Sequence, residues 1–203
     1  MHTARYHHGS LRTALLDAGV RQAAAAGPMS LQIRELAKTV GVSPSAVYRH
    51  FPDLAHICAE VSRLARERLA EAMQLAAERV PAHPDAGVAA IQRFNAIGRA
   101  YVEFAATEPR LFDMAFTSFG VQPSAPDDPS AWDVLTGALD AMVTHGELQP
   151  ALRGEAPWVA WSAVHGLASM VVRGLFPDAP SETEALHAVV GGVRRALGLR
   201  EVD

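Results

Sequence analysis

An all-α fold in two parts is predicted for this chain by three observations. Alanine is by far the most frequent of its 203 residues, leucine and arginine are abundant, and aromatic residues are sparse. Apolar residues recur at spacings of three and four, and proline and glycine fall mostly between the periodic segments. Charge is divided unevenly. Residues 1–53 carry Arg5, Arg12, Arg21, Arg34, Lys38 and Arg49 against Asp17, Glu35 and Asp53, a balance of +3. Residues 54–203 carry twelve basic against nineteen acidic groups, a balance of −7. The overall charge of −4 hides a basic head, 1–53, on an acidic helical body, 54–203. The length suffices for both to bury a core.

Met1 to Gly9 is a polar arm. Its Arg5, His7 and His8 either follow a nucleic-acid backbone or belong to a loose terminus. Adjacent histidines diverge on a helix and no third ligand is evident, so no metal site is expected. Ser10 is placed to cap a helix from Leu11 to Ala26, with Leu11, Leu15 and Ala18 inward and Gly27-Pro28 as its end. The N-terminus of that helix suits a phosphate.

The stretch SLQIRELAKTVGVSPSAVYRHFP, Ser30 to Pro52, predicts two short helices around a tight turn. Leu31, Leu36, Ala37 and Val40 keep helical spacing on one face. Gly41 supplies the left-handed exit, Ser43 an N-cap, and Pro44 the first helical position. Val47 and Phe51 point inward. Ser45, Ala46, Tyr48, Arg49 and His50 are expected on the remaining surface, and Pro52 ends the helix. Small residues beside a tyrosine, an arginine and a histidine suit a major groove.

GVSPSAVYRHFPD resembles the turn and recognition helix of the TetR family of bacterial transcriptional regulators. The shared pattern is Gly-Val-Ser, small residues, an aromatic, two polar positions and Phe. RYHHGSLRTALLDAG and IRELAKTVGVS resemble the preceding helices of that family, and the match covers roughly the first quarter of the chain. The resemblance implies a three-helix helix-turn-helix DNA-binding domain. Its candidate contacts are Ser43, Pro44, Ser45, Ala46, Tyr48, Arg49 and His50, with Ser30 and Arg34 as further phosphate partners. Tyr48 either touches DNA or supports the helix. Arg49 either reads a base or points to solvent. One departure is visible: a lysine common after the Phe-containing stretch is replaced by Leu54 and Ala55.

Asp53 opens a long helix to about Val80, with Leu54, Ile57, Val61, Leu64, Leu69 and Leu75 as apolar positions. Cys58, the only cysteine, fits this face as a small core residue and excludes an internal disulfide. Pro81 to Pro84 is a break. A helix from Asp85 to about Thr107 follows, then Glu108-Pro109 and a short aromatic helix with Leu111, Phe112, Met114, Phe116 and Phe119. Gly120 to Pro129 is loop-like, with disorder or a mobile flap as its expected states. Ser130 and Asp133 form a capping pair for a helix to Thr144. Pro157 opens WVAWSAVHGLASMVVRGLF, and Ser181 with Glu184 forms a capping box for the last helix.

YVEFAATEPRLFDMAF, and Trp161, His165 and Gly166, resemble regulators of this type whose C-terminal part carries a Trp-His-Gly signature. Phe94, Tyr101, Phe104, Phe112, Phe116, Trp161 and His165 are either ordinary core or, as the resemblance implies, the lining of an apolar effector pocket. Gly166, Ala168, Ser169, Gly191 and Gly192 permit close helix approach. In the family the corresponding helices pair two copies into a homodimer.

The expectation is a ligand-responsive DNA-binding regulator, a homodimeric repressor on a pseudo-palindromic operator, released by a small apolar molecule. No cofactor, catalytic residue or membrane partner is expected, and no apolar run approaches the roughly 20 residues of a bilayer span. A cytoplasmic location follows. The competing readings are an interaction module with a vestigial helix-turn-helix and a small-molecule enzyme.

Overall fold

The computed structural model describes residues 8–120, 130–175 and 182–202, the side chains of 8–10 and 182 excepted. Every regular element among them is helical. In order they are α1 (His8–Ala26), a 3₁₀ turn (Pro28–Ser30), α2 (Ile33–Val40), α3 (Pro44–Val47), α4 (Leu54–Glu78), α5 (Ala86–Thr107) and α6 (Pro109–Phe116). Then come α7 (Ala131–Thr144), a second 3₁₀ turn (Pro150–Leu152), α8 (Ala156–Val172) and α9 (Glu182–Ala196). Two compact units emerge, Met1–Arg66 with Glu108–Pro126, and Glu67–Thr107 with Asp127–Asp203. Helix α4 supplies residues to both.

In the first unit α1 packs on α2 and α6. Its buried residues Leu11, Leu15, Leu16, Ala18, Val20 and Ala23 extend the expected inner face. Gly19 makes the close approach to α4 possible, since a Cβ there would stand 2.7 Å from Val61 Cγ2. Helix α1 begins at His8, so Ser10 lies within its first turn and not at its cap. Polar groups tie α4 to α6: the Arg66 guanidinium donates to the Ala115 carbonyl at 2.7 Å and to Ser62 Oγ at 2.7 Å. The Ser62 hydroxyl also donates to the Ala115 carbonyl, at 3.2 Å. Such bonds satisfy carbonyls that a helix end leaves open.

In the second unit α5 is central and packs against α7, α8 and α9. Its core joins Ile91 and Phe94 to Leu135, Leu139 and Met142 of α7, and to Val193 and Leu197 near the C-terminus. The Ser130–Asp133 capping box is formed as the sequence predicts: Asp133 N–H donates to Ser130 Oγ at 3.3 Å and Ser130 N–H to Asp133 Oδ2 at 2.9 Å. Asp85 caps α5 with its side chain alone, accepting from Gly87 and Val88 N–H at 2.8 and 3.1 Å. Leu75, expected on the inner face of α4, is exposed, and Met73 is buried nearby instead. The proposed Ser181–Glu184 box includes a residue outside the described ones, as do positions 121–129 of the Gly120–Pro129 loop.

Candidate functional site

The head is built around Gly41. Its φ of 79° lies in the left-handed region, and its N–H reaches the Ala37 and Lys38 carbonyls while Val42 N–H bonds the Ala37 carbonyl at 2.9 Å. This closes α2 and redirects the chain into α3. Pro44 starts α3 with its φ already helical and no N–H to satisfy. The helix proper spans only Pro44–Val47, shorter than the expected run to Phe51. Bonds from His50 and Phe51 N–H to the Val47 carbonyl, at 2.9 and 3.1 Å, carry the coil one turn further. Val47 and Phe51 are buried, which seats the segment on the core.

Phe51 is held from above by Arg12, whose guanidinium lies 5.0 Å from the ring centroid. Arg12 also pairs with the buried Glu60 at 3.5 Å, which accepts from Arg63 at 3.1 Å. At the entry to α4 the Asp53 carboxylate accepts from His56 N–H at 3.0 Å and bonds its Nδ1 at 2.8 Å. The side-chain bond to His56 is the main cause holding the Asp53 carboxyl below its usual range. Arg12 therefore holds the segment after α3, while Asp53 and His56 fix the start of α4. Sequence spacing carried a signal for two of them, because Asp53 and His56 stand three apart across a helix start.

The candidate contact residues separate on this seat. Ser43, Pro44, Ser45, Tyr48 and Arg49 are exposed together, Tyr48 by 56%. Arg34 is exposed on α2, and His50 is half-buried. Three expectations need correction. Ala46 is buried beside Val47, because a single turn starting at Pro44 leaves both on the inner side. Ser43 occupies the cap position with an extended backbone, yet its hydroxyl meets Ser45 Oγ at 2.8 Å and no backbone N–H. Ser30 belongs to the 3₁₀ turn, and its hydroxyl donates to the Gly27 carbonyl at 2.6 Å, so that proton is already committed. Gln32 stands at the cap of α2 instead. Arg5 and His7 lie outside the described residues.

The second unit encloses a cavity of about 30 Å³ lined by Met73, Phe94, Asn95, Ile97, Gly98, Tyr101, Leu135, Ala160, Trp161, Val164, Val190 and Val193. Phe94, Tyr101 and Trp161 are among its lining residues. His165 joins them indirectly, through a 2.8 Å bond between its Nδ1 and the Tyr101 hydroxyl and a stacked contact with Trp161. Burial, and then the Arg173 charge, hold the His165 imidazole below its ordinary 6.5. Burial pushes the Tyr101 phenol well above its ordinary 10.0. Both shifts favour the neutral forms, so the bond joins a phenol to an uncharged imidazole.

The other candidates part from this cavity. Phe104 is buried on α5 but is not among its lining residues. Phe112 and Phe116 belong to the first unit, where their rings pair at 4.9 Å. Asn95 was missed. It stands four residues after Ile91 and seven before Val102, on the buried stripe of α5, and that helical spacing was the available signal. Among the described residues no three His, Cys, Asp or Glu side chains cluster as metal ligands, and no helix is long and apolar enough to cross a membrane.

Comparison with known proteins agrees with this anatomy. A family model described as "Bacterial regulatory proteins, tetR family" matches residues 15–61, and one described as "Tetracyclin repressor-like, C-terminal domain" matches residues 94–192. Trp161, His165 and Gly166 fall within the second match. Among solved structures, a protein with unknown function from Rhodococcus sp. RHA1 is 27% identical, with a TM-score of 0.72 over 97% of this chain and 98% of its own. A bacterial regulatory protein in the tetR family from Rhodococcus RHA1 shares the fold at 20% identity and a TM-score of 0.62, over 98% and 100% of the two chains. A TetR family transcription regulator from Marinobacter aquaeolei VT8 does so at 16% identity and 0.63, over 95% and 97%. No curated protein matches the chain.

Proposed function

The chain belongs to the TetR family of bacterial regulators, a transcriptional regulator with a DNA-binding and a ligand-binding part, and on that premise we propose that it is a homodimeric repressor released by a small apolar effector. The observation that carries the DNA-contact residues is the seat of α3. Val47 and Phe51 are buried beneath it, while Ser43, Ser45, Tyr48 and Arg49 share the open side. Short hydroxyls and a tyrosine contact phosphates and set register, and an arginine supplies base choice. Arg34 on α2 adds a phosphate contact. Ser30 contributes through the turn it holds, and Ala46 through the packing of α3.

Two copies are required because one such turn reads too few bases, whereas two at fixed spacing read a pseudo-palindrome. The exposed side of α8 supports a pairing surface on the last two helices. It carries Trp158 (63% exposed), Val159 and Met170, with Gly166 between them. Ala168 is buried within its own chain and takes no part. The effector acts by binding one state of the second unit more tightly than another, and coupling of order 1–3 kcal/mol shifts the heads away from successive major grooves. Helix α4, which belongs to both units, is the route.

The test is binding of the purified protein to the DNA flanking its own gene, at several salt concentrations with competitor DNA. Protection of a pseudo-palindrome is expected. Tyr48→Ala and Arg49→Ala should each weaken it, Arg49→Ala by about 1–3 kcal/mol at one base position if that residue reads a guanine. Binding that is indifferent to both substitutions would remove α3 from the interface. Steep salt dependence without sequence preference would leave only a basic head meeting phosphates.

A further inference from the structure

The cavity of the second unit has one polar flaw. Asn95 is buried, and its Oδ1 has no hydrogen-bond partner among the described residues. The rest of that lining is apolar side chain or glycine except for the Tyr101 hydroxyl, already bonded to His165, and the Trp161 indole. Asn95 also lines a second, open groove of about 310 Å³ formed by Val80, Pro81, Ala82, His83, Gln92, Ala96, Arg99 and Val202. It is the one residue common to both linings. A buried amide with an unmet oxygen is costly, and native proteins keep few of them. Here the residue that carries it borders both an outer groove of mixed character and an inner apolar cavity.

We propose that Asn95 is the polar recognition point of the effector site, and that the effector is an amphipathic molecule whose hydroxyl or amide N–H donates to Asn95 Oδ1 while its apolar body occupies the enlarged cavity beside Phe94, Tyr101 and Trp161. This rests on the ligand-binding part of the proposed function. The chemistry follows from what the site lacks. An apolar molecule without a donor would keep Oδ1 unpaired, so the site gains selectivity from a single bond in a dry setting. A cavity of about 30 Å³ holds no such molecule as it stands, so binding selects a wider state of the second unit. The groove, with Arg99 and Gln92 on its wall, is the approach on the polar side.

The experiment uses matched probes that differ only in the donor: 1-decanol against decyl methyl ether, and 2-naphthol against 2-methoxynaphthalene. Their affinities for the full chain are measured by titration calorimetry, for wild type, Asn95→Leu and Asn95→Asp. The wild type should prefer the donor of at least one pair by roughly ten-fold. Asn95→Leu should reduce that preference to under about two-fold while keeping affinity for the ether, which shows that the cavity survives. Asn95→Asp, retaining an acceptor, should keep the preference. Equal affinity for donor and ether in the wild type overturns the inference, as does a preference that persists in Asn95→Leu. Binding of neither pair overturns it too. Operator protection by the same preparation tells these failures apart from failure of the DNA-binding reading.

Discussion

Gly19→Ala is the sharpest test of the head's packing, because two effects of similar size oppose each other. Alanine inside a helix is favoured over glycine by about 0.8–1.0 kcal/mol, so an open site would become more stable. At Gly19 the new methyl would stand 2.7 Å from Val61 Cγ2 and 3.8 Å from Leu31 Cδ2. Ordinary carbon contacts need about 3.5–4.0 Å, so Val61 or a helix axis has to give by nearly an ångström. Val61 is fully buried and β-branched, with essentially one rotamer on a helix. Overpacking of this kind costs about 1–3 kcal/mol, and the stiffness of Val61 favours the upper half. The net expectation is a loss of about 1–2 kcal/mol. Val61→Ala alone should cost about 2 kcal/mol for the deleted methyls. In the double variant the methyl introduced by Gly19→Ala refills part of that space, so the two losses fall short of additivity by about 1–3 kcal/mol. Urea unfolding of all four proteins, read at constant m, measures the cycle. Gly19→Ala as stable as wild type, or strict additivity, would refute the close approach of α1 and α4.

Three further expectations follow from single contacts. Ser130→Ala should lose about 1 kcal/mol in the same urea assay, because the hydroxyl that closes the α7 capping box goes with it. Burial, and then the Asp53 charge, push the Cys58 thiol up to about 11 from its ordinary 9.0. Between those values the unfolded chain sheds a proton that the folded chain keeps, so stability falls as pH rises; Cys58→Ala should flatten that decline in thermal melts. His165 runs the other way. Its folded pKa lies below 6.5, so on acidification the unfolded chain binds the proton first and stability falls below that pH. His165→Gln should remove this loss in urea titrations compared across the window, and an unchanged slope would mean that the buried imidazole is not its source.

Local chemistry was the legible part of this chain. Gly41, Pro44 and the Ser130–Asp133 box each act within a few residues, so their spacing alone announced the turn, the helix start and the cap. Periodicity likewise placed Phe94 and Tyr101 on the inner face of α5. What spacing could not give was partnership over distance. Ser30 looked available to a phosphate until the turn at Gly27 claimed its hydroxyl proton. Phe112 and Phe116 share aromatic character with Phe94, but from Glu108 onward the chain belongs to the first unit. Ala46 was misassigned because a one-turn helix has too few residues to define its faces. Asn95 lay on a stripe that periodicity had marked, and only its polarity kept it off the roll of pocket residues.

Trp132, Trp158 and Trp161 are the only tryptophans in the chain, and all three belong to the second unit, where their rings form one cluster with neighbouring centroids 4.7 and 5.6 Å apart. The head carries tyrosine but no indole, so under excitation selective for tryptophan it is optically silent. Any emission change on adding operator DNA must then originate in the ligand-binding unit, and its amplitude would be a direct optical record of communication between the two. The same asymmetry lets indole emission follow the unfolding of the body, while far-ultraviolet dichroism follows both units.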